Sequence, residues 1–164
     1  MSTSSATRSA TSSRSHQPVL LLDQTFSSPK LATAIACEEW DVQLHGAHFA
    51  SDAQDHEWIP VCGANKWVIV SCDKQQRAWR ADGGLPRRAI ITSKARVLFL
   101  GSGSRPFMEY AKALNKAKLA ILRLLNQNRV GPLMVRIHND GHVERLFVNP
   151  SETARDRTRR KFGV

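Results

Sequence analysis

A chain of 164 residues and 18.3 kDa suits one domain and leaves little room for two. With 41% apolar and 23% charged residues it has the composition of a soluble globular protein, and apolar runs as short as Val19 to Leu22 exclude a membrane span, which needs about 20 such residues. The net charge of +10 points toward a polyanion partner, while three cysteines without a CxxC pair (Cys37, Cys62, Cys72) argue against a disulfide framework or structural zinc and for a reducing, cytoplasmic setting.

Residues 1–17 are rich in Ser and Thr and almost free of large apolar side chains. Such a segment cannot bury enough surface to offset its ordering entropy, and it reads as a disordered leader. It lacks the amphipathic face of an organelle transit peptide. Pro18–Leu22 is a continuous apolar run, the pattern of a strand buried on both faces. Ser28-Pro29 offers a helix cap followed by proline at the first helical position, and Leu31, Ala34 and Ile35 carry a helix to about Glu38. Trp40–Leu44 alternates as a second strand, and residues 55–65 read as a helix kinked at Pro60 and Gly63.

Trp67–Ser71 and Val97–Leu100 are the third and fourth strands, with a Gly-rich basic loop between them. Ser104 is the expected cap of a long helix, with Pro106 in its first turn and an apolar stripe of Phe107, Ala111, Leu114, Ile121 and Leu125. Lys112, Lys116 and Arg123 fall on another, solvated face. Leu133–His138 and His142–Val148 flank Asn139-Asp140-Gly141, a hairpin signal. Residues 150–164 form a polar, basic tail. Alternating strands and helices imply parallel crossovers, and hence an α/β, mostly parallel sheet flanked by helices, with the C-terminal β-hairpin at its edge.

The charge is divided along the chain. Residues 18–73 carry eight acids against two lysines, whereas residues 74–150 carry fifteen bases against four acids. The first and third strands each end in an acid, Asp23 and Asp73. In an open α/β sheet ligands bind at the carboxyl ends of the strands, near the point where strand order reverses. Carboxylates gathered there repel one another, and a hard divalent cation with oxygen ligands relieves the repulsion. Asp55 and Glu57 stand at the start of the middle helix as further candidate ligands. Such a cluster suits Mg²⁺ or Mn²⁺ set between protein and substrate phosphates. Lys74, Arg77, Arg80, Arg87 and Arg88 follow directly and would grip the phosphates of a nucleic-acid strand.

Three segments, LLLDQTF (20–26), DAQDHEWIPVCGANKWVIVSCDK (52–74) and RVLFLGSG (96–103), together resemble a PIN-like ribonuclease domain, most of all the VapC-type toxin branch. The similarity runs from about Pro18 to Leu146, and its most specific part is the order D-x-E-W…G…W-V-x-V-x-x-D-K. The resemblance implies a Rossmann-like fold, a Mg²⁺ or Mn²⁺ cleft held by Asp23, Asp55 and Asp73 with Glu57 as a partial match, and hydrolysis of RNA. Lys74, Gln75 and Gln76 stand where many relatives carry a further acid. The resemblance implies an RNA substrate and an antitoxin protein as partners; a homodimer is an open option that the sequence does not decide, and no membrane partner is expected. On this reading residues 18–149 form the nuclease domain. The alternative is a weakened PIN-like domain that binds RNA or regulates without cutting, and a DNA nuclease is a third reading.

Among other motifs, His45-x-x-His48 reads as a pair of exposed loop histidines, Gly101-Ser102-Gly103 as a turn, and Cys62 and Cys72 as small buried apolar residues. Trp79 is a candidate base-stacking or packing residue.

Overall fold

A computed structural model describes residues 17–72, 85–101 and 105–146. Its elements in chain order are β1 (Val19–Leu22), α1 (Pro29–Ala36), β2 (Asp41–Leu44), α2 (Asp55–Ala64), β3 (Val68–Cys72), α3 (Leu85–Ser93), β4 (Arg96–Leu100), α4 (Phe107–Gln127), β5 (Leu133–Ile137) and β6 (Val143–Arg145). The strands form one six-stranded sheet in the order β2-β1-β3-β4-β5-β6, parallel throughout except for the antiparallel β6 at one edge. The architecture is therefore the expected Rossmann-like α/β layer with a terminal hairpin. Residues 1–16, 73–84, 102–104 and 147–164 lie outside the described residues, and with them the leader, most of the basic loop, Trp79, the Ser104 cap and the tail.

The pleat sorts the strand residues onto two cores, because successive side chains point to opposite faces. Leu20, Leu22, Val68, Val70, Leu98, Leu100, Val135 and Ile137 face one side, where Leu31 and Ile35 of α1 and Leu114 and Ile121 of α4 cover them. Leu21, Ile69, Val97, Phe99 and Met134 face the other, covered by Trp58, Ile59 and Cys62 of α2 and Ile90 of α3. Each fully buried Leu or Ile contributes about 1.5–3 kcal/mol. Continuous apolar runs such as VLLL form strands here because both faces are roofed by helices.

Helix ends follow local chemistry. The Ser28 hydroxyl accepts a bond from the Leu31 N–H at 3.5 Å, with Pro29 at the first position of α1. The helix stops at Ala36, slightly short of the expected Glu38. α2 passes through Pro60 and packs closely on α3 at Gly63: a Cβ there would lie 2.3 Å from the backbone oxygen of Ser93. α3 itself replaces part of the expected loop. Ile90, wholly buried against α2, fixes it, although Pro86 and two arginines disguise its pattern.

α4 starts at Phe107, so Pro106 caps it instead of sitting within its first turn. Phe107, expected on the apolar stripe, is 42% exposed, whereas Ala111, Leu114, Ile121 and Leu125 are buried as expected. In the β5–β6 turn Gly141 has φ +87°, and a Cβ there would meet the Lys116 side chain at 2.5 Å. Among the described residues no helix is long and apolar enough to cross a membrane.

Candidate functional site

The chain leaves β1 toward β2 on one side and then returns to place β3 on the other, so β1 and β3 flank the switch point of the sheet. Asp23 follows β1 directly. Its backbone N–H donates to the Val70 carbonyl oxygen at 2.9 Å, which ties it to β3. The residue is 7% exposed, and its carboxylate accepts a bond from the buried Ser71 hydroxyl at 2.7 Å. A charge-assisted bond of this kind is among the stronger ones in a protein. Ser71 lies on the α2-facing side, in alternation with Val70 and in phase with Ile69.

His45 follows β2, which is paired in parallel with β1 through Leu22 and Leu44, so Asp23 and His45 are the next residues on neighbouring strands. The expectation of an exposed loop histidine is wrong for His45, which is fully buried; His48 is exposed as expected. The physical reason is tertiary. The rings of Phe49 and Trp58 stand 5.1 Å from the His45 ring, the latter perpendicular to it, and shut it from water. That burial holds its pKa below the ordinary 6.5, against the opposing pull of the Asp23 and Asp55 carboxylates.

Asp55 is the first residue of α2 and is half-buried, with its Oδ1 accepting from the Trp58 indole N–H at 3.2 Å. Glu57 is exposed and turns back along the helix: its Oε2 accepts from the Gln54 N–H at 2.8 Å. The structure thus brings Asp23 and Asp55 into the electrostatic neighbourhood of one histidine, and it engages Glu57 as a helix cap. Asp73, Lys74, Arg77 and Arg80 lie outside the described residues; Cys72, which precedes them, ends β3 on the sheet edge that carries Asp23. Arg87, half-buried, and Arg88, exposed, fall in the first turn of α3.

Farther along the same edge, sequence reasoning missed a second group. Cys72 is half-buried rather than buried, and its sulfur lies 3.8 Å from the Tyr110 hydroxyl. Burial, followed by the contact with Cys72, raises the Tyr110 pKa above its usual 10.0, while Arg105 pulls it down. Tyr110 packs edge-on against Phe26 with ring centres 4.9 Å apart. The Arg105 guanidinium and the Asn139 side-chain oxygen both stand over Gly101, 3.6–3.8 Å from where a Cβ would be. The one sequence signal for the missed residues is position: Ser71, His45 and Gly101 are all at or just past a strand's carboxyl end.

Residues 18–102, just over half of the chain, match the family model described as a PIN-like domain. The chain belongs to the PIN-like domain family. No curated protein and no solved structure matches it. PIN-like domains are nucleases as a class and typically use divalent metals.

The PIN-like domain's own residues bear on that metal in two ways. Among the described residues no three His, Cys, Asp or Glu side chains are grouped closely enough to hold an ion. Asp23 and Asp55 nevertheless supply the hard oxygen donors that Mg²⁺ and Mn²⁺ prefer. Beside them lies a buried polar group, His45, whose ring nitrogens meet no hydrogen-bond partner among the described residues. Asp23 and Asp55 are thus donors of the right kind, and among the described residues they do not by themselves make a complete site.

Proposed function

We propose that this PIN-like domain is a Mg²⁺- or Mn²⁺-dependent endoribonuclease of the VapC-type branch, a cytoplasmic toxin held in check by an antitoxin protein. The observation that carries the reading is the buried Asp23 at the switch point, its carboxylate fixed by Ser71, in a fold whose class is nucleolytic. Asp23, Asp55 and Asp73 hold the cation, and Glu57 adds negative potential from the first turn of α2. Such a cation, held there, would supply an acidified water and positive charge beside the phosphate oxygens.

The rest falls to the protein. Asp23 is held in one position by two strands and a hydroxyl, so it orients without reorganising. Lys74, Arg77, Arg80, Arg87 and Arg88 hold the RNA backbone, a sequence-independent grip weakened by salt. The nuclease unit is residues 18–149, with the Ser/Thr-rich leader and the basic tail outside it.

The test is cleavage of labelled RNA by the purified chain with and without Mn²⁺. Asp23→Asn and Asp73→Asn are each expected to lower the cutting rate by about 100-fold or more, as loss of several kcal/mol of transition-state stabilisation requires, while RNA binding is retained. Binding that needs no metal, ignores both substitutions and leads to no cutting would establish the alternative, an RNA-binding or regulatory domain. Supplying DNA in parallel separates the two polymers.

A further inference from the structure

Gly101 follows β4 directly, on the sheet edge that carries Asp23, and the two side chains that stand over it have no part in the three-carboxylate reading. Beyond its neighbours in the chain, the three described atoms nearest to where a Cβ would be are all polar. They are Asn139 Oδ1 at 3.6 Å and the two terminal nitrogens of Arg105 at 3.7 and 3.8 Å. The Gly101 N–H donates to the Ile137 carbonyl oxygen at 3.2 Å, so the glycine contributes open space and not a donor. Solvent reaches the place, since Asn139 is exposed and Gly101 and Arg105 are only half-buried.

Both polar side chains spring from restrained backbone. Arg105 precedes Pro106, whose ring holds the residue before it in extended forms. Asn139 sits in the β5–β6 turn, where the His138 N–H donates to the His142 carbonyl oxygen and the Gly141 N–H to that of His138, each at 2.9 Å. Gly141 then packs on Lys116 and fastens the turn to α4. The carboxylates of the hairpin are engaged elsewhere: Asp140 accepts from the His142 N–H at 2.8 Å, and Glu144 accepts from Arg136 at 2.9 Å and lies 3.2 Å from His138. Glu109, in the first turn of α4, is matched by Lys112 three residues on.

A guanidinium offers five donors in a planar fork that fits phosphate, so bonds it makes within the fold leave others for a ligand. A side-chain amide beside it adds donors of its own. One strand, β3, separates β1 from β4, and neighbouring strands lie about 4.8 Å apart, which sets Gly101 about 10 Å along the edge from Asp23. That is too far to touch a phosphate being cut beside Asp23, and it suits another phosphate of the same strand.

We propose that Arg105 and Asn139 form a second phosphate subsite over Gly101, which takes a non-reacting backbone phosphate of the RNA strand whose scissile phosphate lies beside Asp23. This rests on the nuclease reading and gives the bound strand a course across the sheet edge, from β1 toward the β5–β6 hairpin.

The test uses the full chain and a short single-stranded oligoribonucleotide that it cuts at one bond in Mn²⁺. Binding is then measured in chelator over a range of salt concentrations. Arg105→Gln is expected to weaken binding roughly 10-fold at low salt and to reduce the slope of log affinity against log salt by about 0.7, the share of one phosphate on a single strand. Oligonucleotides carrying one uncharged methylphosphonate, placed in turn at each position around the cut, identify the phosphate concerned. One position away from the cut should cost the native chain affinity and cost Arg105→Gln nothing further. A salt slope equal to the native one, or a loss in Arg105→Gln that is the same at every position, would overturn the proposal. Gly101→Ala provides a second variant, because its Cβ makes only ordinary contacts and the fold accepts it while the space is filled; native melting with native RNA affinity would also overturn the subsite. If the native chain cuts no RNA in Mn²⁺, the nuclease reading falls and takes this inference with it; if it cuts and Arg105→Gln binds as the native chain does, only the inference falls.

Discussion

Gly63→Ala sets two effects of opposite sign against each other in one residue. Alanine is the better helix former by about 1 kcal/mol at an interior helical position, which favours the variant. Against this, the new Cβ would stand 2.3 Å from the Ser93 backbone oxygen and 3.1 Å from both the carbonyl carbon and the Cβ of that residue. Ordinary contact begins about 1 Å farther out than that oxygen, and the obstacle is backbone at the end of α3, which cannot swing aside like a flexible side chain. Overpacking of this kind costs about 1–3 kcal/mol. It acts on the interface that buries Trp58, Ile59, Cys62 and Ile90. A backbone obstacle at 2.3 Å puts the cost at about 2–3 kcal/mol, the upper part of that range, so the expected net loss is about 1–2 kcal/mol, or a fall in melting temperature of roughly 3–6 °C for a chain of this size. Urea and thermal unfolding of metal-free protein, followed by tryptophan fluorescence, measure it. Gly131→Ala is the control, since a Cβ there meets nothing within 4 Å, and it should change stability by no more than about 0.5 kcal/mol. A Gly63→Ala chain as stable as the native one, or more so, would show that α2 and α3 do not approach as closely as described.

Two further outcomes follow from buried groups. Ser71→Ala removes the hydroxyl that serves the buried Asp23 carboxylate and is expected to lower metal-free stability by about 1.5–3 kcal/mol; the loss should shrink when Asp23→Asn is already present, and a double-mutant cycle with no coupling would refute the contact. The Cys62 thiol, pushed up to about 12 by burial from an ordinary 9.0, stays protonated in the fold. Above pH 9 the unfolded chain releases this proton while the folded chain keeps it, so the contribution present below pH 9 is lost progressively toward about 12. Iodoacetamide at pH 8 should therefore modify the exposed Cys37 and spare Cys62 until the protein unfolds; labelling of Cys62 at the rate of Cys37 would contradict its burial.

Much of the frame was legible because burial on both faces leaves an unambiguous mark. VLLL, VIVS and VLFL can only be interior strands if helices cover both sides, and the helix signals between them supply the cover. The Asp140-Gly141 step likewise announced the hairpin, and the positive φ of Gly141 is why that residue suits it. α3 was not legible: Leu85, Ala89, Ile90 and Ile91 are too few to show a stripe beside Pro86 and two arginines. Its helix depends on Ile90 meeting α2, a contact remote in sequence.

At the candidate site the same division holds residue by residue. Acids at the ends of hydrophobic strands mark Asp23 and Asp73 as candidates in the sequence alone, and Asp55 stands out by opening a helix. Glu57 looks identical to Asp55 at that level, and only the turn of its side chain toward Gln54 separates them. His45 looked like a surface loop residue because nothing near it in the chain is strongly apolar except Leu44 and Phe49. Its burial is decided by Trp58, carried in by α2 from another part of the chain.

Taken alone, the order of residues determined the layered α/β plan and the carboxylates available at the strand ends, because strand period, helix caps and turn glycines act over a few neighbouring residues. What only tertiary structure decided is which polar groups lose their water. That depends on strands and helices distant in sequence closing over them, as β3 brings Ser71 to Asp23 and α2 brings Trp58 to His45. Desolvation is a property of the assembled layers, and no local pattern of residues encodes it.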